Sequence, residues 1–190
     1  MAHNEAMAAT TILTIEDFER LPSEMAENHE LVDGELICVS GNTLGHNRVR
    51  DRLLSMLLRW AADHHSGTVV AEQEYDFLGN AHGPDVSYFG TEKGHLSDDQ
   101  KRVQRFVPDL AVEVASENDT YGALLRKKDR YLRAGTSEVW LISTFTREIA
   151  IYGGAWARIL GRPGDTLSSE LLPGFSIALE ELFSGLTTDD

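Results

Sequence analysis

Hydrophobic positions along the chain switch several times between a helical and a strand spacing, and the switches mark out its elements. Thr14 precedes Phe18 and Leu21, with Asp17 three residues on, a capping-box start for a short helix. Glu30 to Val39 carries two apolar runs around Asp33-Gly34. That dipeptide predicts a hairpin, because both turn residues must tolerate positive φ. Val49, Leu53, Met56, Leu57 and Trp60 then recur at helical spacing, predicting a long helix from about Leu44 to His65, with Gly67 just beyond it.

Strand patterns follow. Residues 68–78 and 85–89 read as two strands. Residues 91–105 are polar and aperiodic, and read as a mobile excursion. Residues 106–115 are nearly all apolar, as expected of a central strand covered on both faces. Asn118, Asp119 and Thr120 supply caps for another helix, and Gly135 its stop. Residues 138–143 and 148–152 predict a second hairpin, which 155–160 extends. A turn at Leu171 to Phe175 and a short helix at 179–183 close the chain. This order predicts an α/β fold, a central mixed sheet flanked by helices, with an N-terminal hairpin and C-terminal strands.

The 190 residues suit one domain over 14–186 after a disordered tail at 1–13. Cys38 is the only cysteine, which excludes an intrachain disulfide or a cysteine-based zinc site. No apolar run approaches the ~20 residues of a membrane span. Residues 1–11 lack the basic-then-apolar pattern of a secretory signal, so a cytoplasmic protein is expected. The net charge of −14, from 17 basic and 31 acidic residues, runs against the basic surface usual in nucleic-acid binders. Two helices nevertheless concentrate bases. One carries Arg48, Arg50, Arg52 and Arg59; the other carries Arg126, Lys127, Lys128, Arg130 and Arg133. Each cluster reads either as a solvated face or as a local basic rim.

Asp85 and Glu113 change the picture. Both sit in β-branched segments, Gly83-Pro84-Asp85-Val86 and Val112-Glu113-Val114. An acid in an apolar strand is costly unless paired, hydrogen-bonded or bound to a metal. Singly, Asp85 reads as a turn residue and Glu113 as half of an ion pair; Asp109, after Pro108, reads as a turn or rim residue. Together Asp85 and Glu113 fit the hard oxygen ligands of Mg²⁺. On the following helix Tyr121, Leu124, Leu125, Tyr131 and Leu132 form one stripe at ~100° per residue, with Lys128 at its centre and Lys127 at its edge. Lys128 is therefore the expected catalytic lysine, unless its stem packs and its amine snorkels to water. His46, His64 and His65 offer a weaker transition-metal reading, since adjacent histidines on a helix point about 100° apart.

The ordered set Glu30-Leu31-Val32-Asp33-Gly34-Glu35, His46, Pro84-Asp85-Val86-Ser87, Val112-Glu113-Val114-Ala115-Ser116, Lys128-Asp129-Arg130-Tyr131, Glu138-Val139-Trp140-Leu141 and Leu172-Pro173-Gly174-Phe175 resembles the putative restriction endonuclease domain family of the PD-(D/E)xK nuclease superfamily. The resemblance implies a restriction-endonuclease-like core with Mg²⁺, or Mn²⁺ in its place, at the sheet's edge. Asp85 matches the first acid and Glu113 the second. Ala115 stands where the superfamily's lysine is usual, and the family draws that lysine from the next helix, which fits Lys128. Glu35 is implied as an additional acid and metal ligand, ahead of Glu30; His46, opening the long helix, could face the site, but a place at the surface is expected. No basic residue precedes Pro84-Asp85.

The function expected is metal-dependent endonucleolytic hydrolysis of nucleic acid, DNA foremost, by a homodimer. The alternative is a catalytically inactive homodimeric binding or scaffolding module on the same fold.

Overall fold

A computed structural model describes residues 12–39, 41–115 and 119–187. Most of the expected tail, together with Ser116 and Asn118, lies outside them. Thr14 caps α1 (Ile15–Glu19) through the full capping box with Asp17. A single turn, α2 (Ser23–Ala26), follows. The hairpin pairs β1 (His29–Val32) with β2 (Glu35–Cys38), and its turn residues Asp33 and Gly34 take φ of 50° and 83°. The long helix α3 (Leu44–His64) is capped by Thr43 and buries Val49, Leu53, Leu57 and Trp60. It ends at a left-handed residue, which is His65 rather than the glycine two positions later.

The expected strand over 68–78 is two strands. β3 (Thr68–Ala71) and β4 (Glu74–Asp76) are separated at Glu72, whose φ is 54°. That left-handed residue breaks the extended run and sends the halves into different sheets. β5 (Ala81–His82) and β6 (Val86–Phe89) follow. The polar excursion is anchored rather than loose. It holds a 3₁₀ turn over Thr91–Leu96 and the buried β7 (Val103–Gln104). Lys93 pairs with Asp109 at 2.5 Å, and Gln104 donates to the Asp98 and Lys101 carbonyls. Strand β8 (Leu110–Ala115) is buried along nearly its whole length. Thr120 caps α4 (Tyr121–Ala134), and Gly135 ends it in the left-handed region.

β9 (Glu138–Ser143), β10 (Glu148–Tyr152) and β11 (Ala157–Leu160) form the expected antiparallel run. β12 (Thr166–Ser168) and β13 (Ser176–Ala178) pair around the Leu172 turn, and α5 (Leu179–Leu182) closes the chain. The six-stranded sheet runs β11-β10-β9-β8-β6-β3, with β8 and β9 parallel and its other neighbours antiparallel. Helix α4 is the crossover that a parallel β8–β9 pair requires. A second, five-stranded sheet, β2-β1-β5-β4-β7, was not anticipated. Its strands are too short to show a period. One core lies between the six-stranded sheet and α3, and a second joins α4 to β4, β8 and β9 through Tyr75, Phe77, Leu124 and Tyr131.

Candidate active site

Register brings the two acids together. β6 pairs with β8 through Val86 and Val112, so the next step outward sets Asp85 beside Glu113. Asp85 Oδ2 accepts a 2.7 Å hydrogen bond from the Val114 amide, which ties it to β8. The expected convergence of Asp85 and Glu113 is thereby seated on two hydrogen-bonded strands. Each acid also has a holder from a helix. His46, in the first turn of α3, is 1 % exposed and places Nε2 3.1 Å from Asp85 Oδ1. Burial disfavours the His46 charge, but the Asp85 hydrogen bond and charge outweigh it and raise its pKa. His46 is thus inside the site rather than at the surface, because the N-terminus of α3 points at the sheet edge. From α4, Tyr131 donates a 2.6 Å hydrogen bond to Glu113 Oε1.

The lysine of the site is Lys127, not Lys128. Lys127 Nζ lies 2.8 Å from Glu30 Oε1 and 3.5 Å from Glu113 Oε2. Lys128 pairs with its neighbour Asp129 and lies 4.8 Å over the Tyr152 ring. Only Leu124 and Tyr131 are buried on this helix, while Leu125 and Leu132 are half-buried and Tyr121 is exposed. Those three drew the apparent stripe toward Lys128. About the Leu124–Tyr131 line the two lysines stand on opposite flanks, so periodicity does not separate them.

The additional acid is likewise Glu30 rather than Glu35. Glu35 is exposed at the start of β2, whereas Glu30 is 6 % exposed in β1. The strand's period of two turns Glu30 inward, and β5 brings His82 Nδ1 within 3.0 Å of Glu30 Oε2. The alternation Glu30, Val32 against Leu31 carried no sign of which face meets the site, because both faces of β1 pack on something. Asp109, expected in a turn or rim role, lies just before β8 at the end away from Glu113, where it accepts from the Gly90 amide and Lys93.

The electrostatics separate the carboxylates. Burial pushes Glu113 up to about 7, with Asp85 and Glu30 adding repulsion and Lys127 opposing. Glu30 is also penalised by burial, but His82 and the Lys127 charge outweigh this and hold it at about 2. Burial disfavours the Lys127 charge, yet Glu113 and Glu30 raise its pKa well above normal. Tyr131 is pushed far up by burial and by Glu113, so it stays a phenol donor.

The donor set fits a hard divalent cation. Among the described residues no group of three or more His, Cys, Asp or Glu forms a ready cage. Mg²⁺ does not require one: it is commonly held by one or two carboxylates and keeps several waters. Asp85 and Glu113 offer two adjacent carboxylates, and the strong desolvation of Glu113 is of the kind that a cation relieves. His64 takes no part, since its Nδ1 bonds the Trp60 carbonyl. The expected basic rim is largely committed within the fold. Arg48 and Arg52 donate to carbonyls at Gly185, Leu182 and Ser184, and Arg50 pairs with Asp51 and Glu72. A cleft of about 1080 Å³ begins at Ala115, on the same face of β8 as Glu113, and is lined by Thr43, Tyr121, Phe145 and Tyr152.

Against known families, the sequence matches the model of Uma2, described as "Putative restriction endonuclease", over residues 15–180. This chain belongs to the Uma2 family. Among solved structures it is similar to a putative nuclease belonging to DUF820 from Anabaena variabilis ATCC 29413. The TM-score is 0.80 at 18% identity, covering 90% of this chain and 98% of that one. The restriction-endonuclease-like fold expected from sequence is therefore the fold observed. No curated protein matches the chain. Among the described residues no helix is long and apolar enough to cross a membrane.

Proposed function

We propose that this Uma2-family protein is a metal-dependent endonuclease that hydrolyses phosphodiester bonds in nucleic acid, DNA foremost, and acts as a homodimer. The observation that carries the reading is the constellation of buried Glu113 with half-buried Asp85 and Lys127, where the adjoining ends of neighbouring strands β6 and β8 meet α4. Family membership and the likeness to a nuclease structure support the same class of chemistry. Asp85 and Glu113 would hold Mg²⁺, or Mn²⁺ in its place. When bound, such an ion lowers the pKa of a water and offsets phosphate charge.

The chain's own residues supply the rest. The Val114 amide and His46 fix Asp85, and Tyr131 fixes Glu113, so both carboxylates are oriented before any ligand arrives. Lys127 carries an ammonium between Glu30 and Glu113, placed to stabilise negative charge growing on a phosphate. A homodimer would present two such centres, one for each strand of a duplex, in the commonest closed symmetry.

The test is cleavage of supercoiled plasmid and of single-stranded oligonucleotides with Mg²⁺ or Mn²⁺, with and without chelator. Chelator-sensitive nicking, abolished in Glu113→Gln, is the expected result. A folded wild type that cuts none of these substrates would favour the inactive scaffold.

A further inference from the structure

Arg130 stands outside the group that meets phosphate or metal, yet its surroundings are unusually constrained. Its guanidinium is pinned at one end by Asp33 of the hairpin turn, both of whose oxygens lie 3.0 Å from Nη2. At the other end Nη1 lies 2.9 Å from His82 Nε2. A guanidinium has donors only and keeps its charge in proteins. His82 Nε2 must therefore be the bare, accepting nitrogen, and the ring's proton is left on Nδ1. That is the nitrogen lying 3.0 Å from Glu30 Oε2, in a close but poorly aligned contact. Phe77 and Tyr131 flank the imidazole, with ring centroids 6.1 and 5.7 Å away, and limit its rotation. His82 itself is 1 % exposed, so both of its nitrogens are shut off from bulk solvent.

We propose that Arg130 is a positioning residue that fixes the Nδ1–H tautomer of His82 and thereby aims an N–H at Glu30. The consequence runs inward along named contacts. The Nδ1–H side of the ring lies 3.0 Å from Glu30 Oε2 as a charge–dipole contact, Oε1 accepts from Lys127, and Lys127 so held stands beside Glu113. With the opposite tautomer, Nε2–H would face the arginine donors and a bare Nδ1 would face the carboxylate, two repulsive contacts in a buried place. The tautomer of an imidazole is set by the partner of its other nitrogen. The inference rests on the hydrolytic reading of the centre for its consequence, but not for its geometry.

The experiment is long-range ¹H–¹⁵N NMR of the full chain with ¹⁵N-labelled histidine, without metal or nucleic acid. His82 is assigned by comparison with His82→Gln. The wild type should show a protonated Nδ1 and a bare Nε2. Arg130→Met should release the ring to the other tautomer or to a mixture. Arg130→Lys, which restores a donor, should recover part of the wild-type tautomer signal. Asp33→Asn, which leaves Arg130 in place but unpinned, gives a milder shift and serves if Arg130→Met does not fold. A wild-type His82 protonated on Nε2, or tautomer signals unmoved in Arg130→Met or in Asp33→Asn, overturns the proposal. Absence of wild-type cleavage with the tautomer as stated sinks the nuclease reading and leaves the positioning role of Arg130 standing.

Discussion

Lys127 and Lys128 are neighbours in the chain, and the fold gives them different work. One amine reaches Glu30 and Glu113; the other is occupied by Asp129 and the Tyr152 ring. Lys127→Met keeps an apolar stem of similar volume but takes the counter-charge from Glu30 and Glu113, so it should cost stability, and its activity is to be read on protein shown to be folded by circular dichroism. Metal-dependent cleavage should fall by about 10² or more, the scale of one lost transition-state donor. Lys128→Met should change it little; equal losses would mean the helix acts only through general attraction. Glu113 gives a second prediction, on stability. The unfolded chain releases this proton near the ordinary value of 4.5 and the folded chain near 7. Between those values the folded state binds more protons, so stability falls as pH rises, and the penalty is complete above about 7. Without metal, Glu113→Gln should therefore gain on the wild type in urea midpoint between about pH 5 and pH 8. Parallel curves would contradict the buried, raised carboxyl. Glu30, held at about 2, works in the opposite sense and in another window, its stabilisation being lost only as pH falls toward that value.

At the scale of elements, α4 is the bridge between fold and chemistry. It is the crossover from β8 to β9, and the same fourteen residues carry Lys127, Arg130 and Tyr131. Its first turn depends on the Thr120 hydroxyl accepting from the Ala123 amide at 3.2 Å. Thr120→Ala should cost about 1 kcal/mol. For a chain of this size that lowers Tm by about 2–4 °C, measurable by calorimetry. An unchanged Tm would show that the cap is not holding the helix. The strand elements work by register. Asp85 lies opposite Glu113 because β6 and β8 pair as they do, and a one-residue slip would turn every side chain of β6 to the other face.

For the whole molecule, the charge of −14 and the bonding of Arg48, Arg50 and Arg52 on α3 within the chain point the same way. Few cationic groups remain to neutralise phosphates, so metal-free DNA binding should be weak. Its salt dependence should be shallow, with a slope corresponding to only a few phosphates. Titration of labelled duplex at several salt concentrations measures this; a steep slope would reveal a basic surface that the fold does not display. The proposed homodimer predicts a mass in light scattering of twice the 21.1 kDa chain at tens of micromolar. A monomer at that concentration would leave each centre to cut one strand alone.

The sequence by itself determined the elements whose signals are local. The Asp33-Gly34 turn, the Thr14 and Thr120 caps and the long α3 follow from backbone preferences and periodicity, and each is where the residues put it; of the apolar run 106–115 only Leu110–Ala115 is strand, which begins just past Pro108, a residue with no N–H for a ladder. The pairing of Asp85 with Glu113 was legible too, as two acids in strands have few ways to be tolerated. Tertiary structure decided what depends on which surface meets which. It chose Lys127 over Lys128 because β8 packs on one flank of α4. It chose Glu30 over Glu35 because Lys127 of α4 and His82 of the neighbouring strand β5 meet Glu30, while Glu35 is exposed on the outer strand β2, and it buried His46 because the start of α3 meets Asp85 at the start of β6. The second sheet was equally hidden: strands of two to four residues gain their stability from neighbours brought by distant chain, and leave no period of their own.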